Sequence, residues 1–255
     1  MFFSRKSIKG YDKKLTRLGF CHHKCGTVYQ KIVFEKICQN VNLEFIDVMA
    51  DEVIIKNIPS NAFLFFRNAK YESQISEYNL KSYKGYHIVR DPRDMIISGY
   101  FSHRYSHPID NQWGREYLVE YRKWLNSVPL EIGMMQEIAK GISLGHMSKW
   151  NYNDKNIIEI KFEDLITNPY KIFWKILDFL SIRIKKAKLK KIIKNNSFER
   201  FSRGRKKGEE KIESHFRKGI SGDWKNYFTK EHINFFKKKW GHLLIQLGYE
   251  KNNNW

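Results

Sequence analysis

Short apolar runs alternate along this chain with longer stretches of helical spacing. The runs are Leu15–Cys21, Leu43–Val48, Ala62–Phe66, Tyr86–Val89 and Ile157–Ile160. Strand-length runs separated by helix-length segments predict a parallel sheet with crossover helices, an α/β architecture. In Thr27–Cys38 the residues Val28, Ile32, Val33 and Ile37 fall on one side at near-helical spacing, which predicts an amphipathic helix with Gly26 at the strand-to-helix turn. Further helices are predicted from about Arg93, from Tyr117 to Trp150, and from Tyr170 to Leu180, where Pro169 is well placed to open the last of these. In the tail, Ile233, Phe236, Trp240, Leu244 and Leu247 form a stripe that reads as core packing. No internal repeat is visible.

The chain has 255 residues and no Pro- or Gly-rich linker, so one domain spanning 1–255 is expected. Hydrophobic residues at 42%, with aromatics at 15%, exclude wholesale disorder. Lysine and arginine outnumber acids 47 to 27, a net charge of +20 that attracts anionic ligands, nucleic acid or acidic lipid without choosing among them. Three cysteines, Cys21, Cys25 and Cys38, are too few for a disulfide framework and point to a reducing compartment, with the cytoplasm as the expected location. Met1 to Phe20 scatters six basic residues without the apolar core of a signal peptide, and no later window reaches bilayer-spanning length. The lysine-rich segment Arg183–Lys194 reads as a solvated helix face, with weak attraction to acidic membranes as the alternative.

Three segments carry anion chemistry. His23-Lys24-Cys25-Gly26-Thr27-Val28-Tyr29 joins a predicted strand to a predicted helix, so backbone N–H groups and a helix N-terminus can face an anion beside the Lys24 charge. It is not a nucleoside-triphosphate loop, because the lysine precedes the only glycine and no Gly-Lys-Ser/Thr follows. Arg90-Asp91-Pro92-Arg93-Asp94-Met95-Ile96-Ile97-Ser98 leaves a strand and enters a helix, with Ser98 about two turns in. Late in the chain, Arg217-Lys218-Gly219 places two cations beside a residue without a side chain, a compact anion clamp.

Taken together and in this order, the three segments resemble the donor-binding motifs of the sulfotransferases, which move a sulfonate group from 3′-phosphoadenosine 5′-phosphosulfate (PAPS) to an acceptor and release adenosine 3′,5′-bisphosphate (PAP). The resemblance covers about Phe20 to Tyr249 and implies a P-loop-like three-layer fold, a central parallel sheet flanked by helices. It gives Lys24 the bridging and terminal oxygens of the donor, Gly26, Thr27 and Val28 the phosphate contacts, and Tyr29 a place on adenine; Cys25, where the family has serine or glycine, counts with them as a donor-binding position. It gives Arg90 and Ser98 the 3′-phosphate, with Arg217, Lys218 and Gly219 closing over it. Asn196-Ser197-Phe198 resembles the adenine-contacting T-S-F segment, which makes Phe198 a second ring face. Phe162 replaces the tyrosine of the family's Y-E-D. Of the animal enzymes' K-x(3)-T-V-x(3)-E dimerisation motif only Lys225 and Thr229 are kept, so the resemblance leaves the oligomeric state open.

In the chemistry the resemblance implies, the protein orients the partners and stabilises charge on the leaving bisphosphate, and Lys24 is the candidate stabiliser. A general base commonly assists. The animal K-T-H-L-P string has no counterpart, which leaves His103 and His107, after the 3′-phosphate helix, and Glu52 as candidates. The cluster Cys21-His22-His23-Lys24-Cys25 contains zinc-ligand types, but no second pair of ligands lies downstream and no metal is expected. The acceptor class, whether small molecule or carbohydrate, is open. Rival readings are another P-loop-like nucleotide-dependent phosphotransferase, a nucleotide-binding scaffold without catalysis, and a basic polyanion-binding module; that last reading lacks any nucleic-acid-reading motif, so no specific nucleic acid is expected.

Overall fold

A computed structural model describes residues 10–11, 15–48, 58–59, 61–76, 80, 82–109 and 115–255. The strands are β1 (Gly10–Tyr11), β2 (Thr16–Cys21), β3 (Glu44–Val48), β4 (Ala62–Phe66), β5 (Tyr83–Val89), β6 (Ile157–Lys161) and β7 (Ile182–Arg183). The helices are α1 (Thr27–Val41), α2 (Tyr71–Ser76), α3 (Pro92–Phe101), α4 (Arg115–Ser127), α5 (Leu130–Lys140), α6 (Ile142–Ser148), α7 (Phe162–Thr167), α8 (Pro169–Phe179), α9 (Lys186–Asn195), α10 (Phe198–Phe201) and α11 (Lys230–Gln246). A π-helical turn, Ser102–Ser106, continues α3, and a 3-10 turn spans Asp223–Asn226. Backbone contacts gather the chain into two compact units, Met1–Val89 with Lys149–Ser197, and Arg90–Ser148 with Phe198–Trp255.

The first unit holds a five-stranded sheet of order β3-β4-β2-β5-β6 in which every pairing is parallel. All five predicted runs are strands, the fourth starting earlier, at Tyr83. β2 and β4 are buried almost end to end; β4 therefore reads as an unbroken apolar run, while β2 carries Thr16 and Arg17 within its apolar stretch. Register sets Cys21 opposite Ile88, so β2 and β5 finish side by side. From β2 the sheet grows toward β4 and β3 on one side and toward β5 and β6 on the other. Such a divergence at carboxyl strand ends is where open α/β sheets hold ligands.

Arg17, one of the scattered N-terminal charges in the sequence, is fully buried on β2. It donates from Nε to the Leu180 carbonyl at 3.0 Å and from Nη1 to the Leu15 carbonyl at 2.6 Å, so the charge is hydrogen-bonded inside the fold and is not part of a surface field. The basic segment forms α9, which buries Leu189, Ile192 and Ile193 and turns its lysines outward, as a solvated helix face does.

In the second unit, the single helical stretch predicted from Tyr117 to Trp150 is three helices. Pro129 precedes α5, where its ring cannot continue the preceding turn. Gly141 ends α5 in the left-handed region at φ 45°, and a side chain there would run into the Trp240 indole. α11 starts with a capping box between Thr229 and His232. Phe236, Leu244 and Leu247 of the tail stripe are buried, and Trp240 donates to the Ile138 carbonyl at 2.8 Å, so the stripe is core. Among the described residues no helix is long and apolar enough to cross a membrane.

Candidate functional site

The loop after β2 is shaped by two residues with positive φ, Lys24 at 71° and Gly26 at 75°. The left-handed conformation costs a lysine about 1–2 kcal/mol, so its surroundings must hold it there. They do so through the His22 carbonyl, which accepts the Cys25 N–H at 3.0 Å and the Thr27 hydroxyl at 3.3 Å, and through Gln30, whose Nε2 donates to the Cys25 carbonyl at 2.7 Å. Gly26 is required twice over: besides its φ, a Cβ there would lie 2.5 Å from the Phe162 ring. Phe162, which lacks the tyrosine hydroxyl, thus floors the loop. The Cys25 thiol is fully buried and its N–H is engaged in the turn, so this position offers no side chain to a ligand. Val28 is exposed at the start of α1, and Tyr29 sets its ring edge-on to Phe173 at 5.7 Å, with burial raising its phenol pKa above the ordinary value.

His22 itself is seated by a buried chain. Its Nε2 lies 2.8 Å from Nε2 of His87, whose Nδ1 lies 2.7 Å from Glu159, and Trp150 donates to the other Glu159 oxygen at 2.9 Å. Burial pushes Glu159 up to about 8 and His87 down to about 3, so both neutral forms are favoured.

In the second unit the chain runs from Arg90 into α3. Asp91 caps the helix by accepting the Arg93 N–H at 2.9 Å. Arg93 is buried between the indoles of Trp224 and Trp255, at 4.1 and 4.5 Å from their centroids, and pairs with Asp91 and Glu250. Asp94 accepts the N–H of Gly222 at 2.6 Å and of Trp224 at 3.0 Å. Burial raises its carboxyl pKa, opposed by the Arg90 charge and by those two bonds. One carboxylate of the helix therefore fixes the turn that follows the clamp.

The clamp is charge-paired. Asp223 accepts from Lys218 at 2.7 Å and from Arg217, and Arg217 also meets Glu210. Burial acts to raise the Asp223 carboxyl, but hydrogen bonds from Lys218, Arg217 and Asn226 outweigh it and hold the group below its ordinary value. Gly219, at φ 70°, lies so close to Phe198 that a Cβ would stand 2.6 Å from the ring. Arg205 braces the approach by donating to the Arg217 carbonyl at 2.7 Å and to Ser214 at 3.1 Å. Arg90, Ser98, Phe198, Arg217, Lys218 and Gly219 thus all belong to one compact unit.

Among the base candidates, Glu52 lies outside the described residues. His103 sits on the π-helical turn with Nδ1 2.8 Å from Oε1 of Glu137. The ring of His107 stands edge-on to that of His103 at 5.6 Å.

The family model described as "Sulfotransferase domain" matches residues 34–248. The chain belongs to the sulfotransferase family. Sulfotransferase 2A1 of Homo sapiens is 26% identical over 174 residues, 64% of this chain and 57% of the relative. The 3-beta-hydroxysteroid sulfotransferase of Cavia porcellus is 26% identical over 162 residues, 60% of this chain and 53% of the relative. The chain thus spans about half the length of the curated relatives it matches. Among solved structures, a mouse sulfotransferase complexed with PAP has a TM-score of 0.61 at 22% identity, covering 88% of this chain and 84% of the other. A retinol dehydratase in complex with androsterone and inactive cofactor PAP has a TM-score of 0.53 at 16% identity, covering 91% and 81%. These likenesses carry the fold, the parallel sheet with its helices that the sequence led one to expect.

The sulfotransferase match takes in the Arg90 and Arg217 segments but starts beyond the Lys24 loop, which stands on its own geometry. Thr229, one of the two kept residues of the animal dimerisation motif, is the N-cap of α11. Sequence reasoning missed Glu137 and Arg205, and gave Asp94 and Asp223, inside segments it singled out, no role of their own. A signal existed for Glu137: it stands on the buried face of α5 with Gly133, Met134 and Ile138, where an acid is out of place.

Proposed function

We propose that this sulfotransferase-family protein transfers a sulfonate group from PAPS to a hydroxyl or amine acceptor by in-line displacement. The acceptor oxygen or nitrogen bonds to sulfur as the bridging S–O bond breaks, and PAP leaves with that electron pair. The 5′-phosphosulfate is assigned to Lys24 and the backbone of Gly26, Thr27 and Val28, with Lys24 stabilising the leaving charge and Tyr29 beside the adenine. The 3′-phosphate is assigned to Arg90, Ser98, Arg217, Lys218 and Gly219, with Phe198 as the second ring face. His103 or His107 takes the acceptor proton. The observation that carries this reading is the Asp94 bridge: it ties the start of α3 to the turn after the clamp, joining two segments more than a hundred residues apart in the chain.

The family match runs through both compact units, which supports one sulfotransferase domain. The three cysteines, all among the described residues, are buried and form no disulfide, which agrees with a reducing, cytoplasmic setting. The acceptor is taken to be a small molecule or carbohydrate. Binding is tested by thermal melts of the whole chain with PAP or with ATP and magnesium. Stabilisation by PAP alone is expected, and a preference for ATP with magnesium would sink the reading in favour of a phosphotransferase. A radiolabelled-donor screen against pooled metabolites and glycans then tests turnover and acceptor class together.

A further inference from the structure

We infer that Glu137 is the positioning residue of the proton acceptor, holding His103 in its Nδ1–H tautomer so that Nε2 receives the acceptor proton; the inference rests on the transfer reading above and selects His103 over His107 and Glu52. The bond is 2.8 Å long, and the Glu137 side chain is 8% exposed against 21% for His103, so the carboxylate is the inner member and the imidazole the outer one. The same Oε1 accepts the Tyr121 hydroxyl at 2.8 Å. Burial first, and the Glu137 charge second, keep that phenol protonated, so Tyr121 donates and pins the carboxylate.

Three further features serve this pair. α3 presents Gly99 to it: a Cβ there would stand 3.1 Å from Oε2 of Glu137 and 3.8 Å from Cε1 of His103. The π-helical turn adds a residue to the helical repeat exactly where His103 departs from α3. Arg122 of α4 brackets that turn, donating to the His103 carbonyl at 2.9 Å and to the His107 carbonyl at 2.6 Å. Within its own compact unit, the charged and titratable groups facing His103 are Glu137 from α5, Tyr121 and Arg122 from α4, and His107 from its own turn. As the acceptor O–S bond forms and the bridging S–O bond breaks, the proton passes to Nε2, the imidazolium faces the Glu137 carboxylate, and PAP leaves with the electron pair. A carboxylate behind a histidine fixes both tautomer and ring direction.

The test combines histidine ¹⁵N NMR of the whole protein with PAPS turnover to PAP. The neutral His103 ring is expected as the Nδ1–H tautomer in the unmodified protein. Glu137→Gln should release His103 from the Nδ1–H tautomer, move the acidic limb of the rate profile to lower pH and reduce kcat by about 10–100-fold, with PAP affinity unchanged. Tyr121→Phe, which removes the hydroxyl that donates to the carboxylate, should move the limb the other way and serves where Glu137→Gln fails to fold. An Nε2–H tautomer in the unmodified protein, or a limb that neither variant moves, overturns the inference. A protein that neither binds PAP nor turns PAPS over defeats the transfer reading instead, and the ¹⁵N tautomer readout of His103 still decides the pairing with Glu137.

Discussion

The loop after β2 and the clamp at Arg217-Lys218-Gly219 present an anion with two kinds of partner. The loop is a backbone device: positive φ at Lys24 and Gly26, carbonyls tied by Cys25, Thr27 and Gln30, and an aromatic floor at Phe162. The clamp is a side-chain device, whose two cations are oriented by Asp223 and Glu210 and whose following turn hangs on Asp94. Backbone N–H groups carry no countercharge that a ligand must displace, whereas paired cations share their field with the carboxylates that orient them. The first arrangement suits a place where charge develops during reaction; the second suits holding a group whose charge does not change.

The largest expected effect follows from this division. Lys24→Ala should lower kcat by about a hundred-fold or more, as the loss of a preorganised charge partner does, while PAP, whose 5′-phosphate keeps the bridging oxygen, loses affinity by a smaller factor. Steady-state kinetics beside PAP calorimetry check this. Equal losses in kcat and in PAP affinity would erase the distinction between the two regions.

Next in size is the carboxylate that hangs the clamp. In Asp94→Asn the amide oxygen keeps one of the bonds to Gly222 and Trp224, but the NH2 cannot accept the other N–H, so that bond is lost with the charge, a cost of about 1–3 kcal/mol for a buried group left without its partner. The clamp turn loosens, and PAP affinity should fall by about tenfold while kcat at saturating donor stays near that of the unmodified protein. A fall in kcat with unchanged PAP affinity would mean that Asp94 serves the chemistry and not the clamp.

These two regions also differ in how far the sequence betrays them. The five strands are legible because each is a dense apolar run, and Gly26 and Gly219 because a compact turn beside a cation asks for glycine. What holds each region in place is not legible. Glu137 meets His103 across 34 residues, Asp94 meets Gly222 across 128, and Arg17 finds the Leu180 carbonyl across 163. Asp94 and Arg17 are ordinary charged residues until the fold brings their partners, and Glu137, an acid on an apolar helix face, marks a buried role without naming its partner. The three-way division of the stretch from Tyr117 to Trp150 was half legible: Pro129 and Gly141 are breakers on the page, but apolar spacing runs on through both. The π-helical turn has no composition mark.

The smallest effect separates the regions by pH. Glu159, behind the His22 carbonyl that organises the loop, has its folded pKa raised from 4.5 to about 8 by burial. Its contribution to stability is complete below 4.5 and is lost as pH climbs toward 8. His87 has its folded pKa lowered from 6.5 to about 3, so its contribution is complete above 6.5 and is lost as pH falls toward 3. Between 4.5 and 6.5 the two slopes oppose; from 6.5 to 8 Glu159 acts alone, and stability should decline. Asp223, held below its ordinary value by Lys218 and Arg217 against the pull of burial, stays ionised across this whole window. The clamp therefore keeps its charges while the anchor of the loop titrates. Thermal melts from pH 5 to 8.5 should show the decline above 6.5 in the unmodified protein and a flatter profile in Glu159→Gln, which cannot ionise. Asp223→Asn should lower the whole curve without changing its shape there. If Glu159→Gln keeps the full decline, the loop's pH response does not come from the buried His22, His87 and Glu159 chain, and the contrast between a titrating anchor and a constant clamp fails.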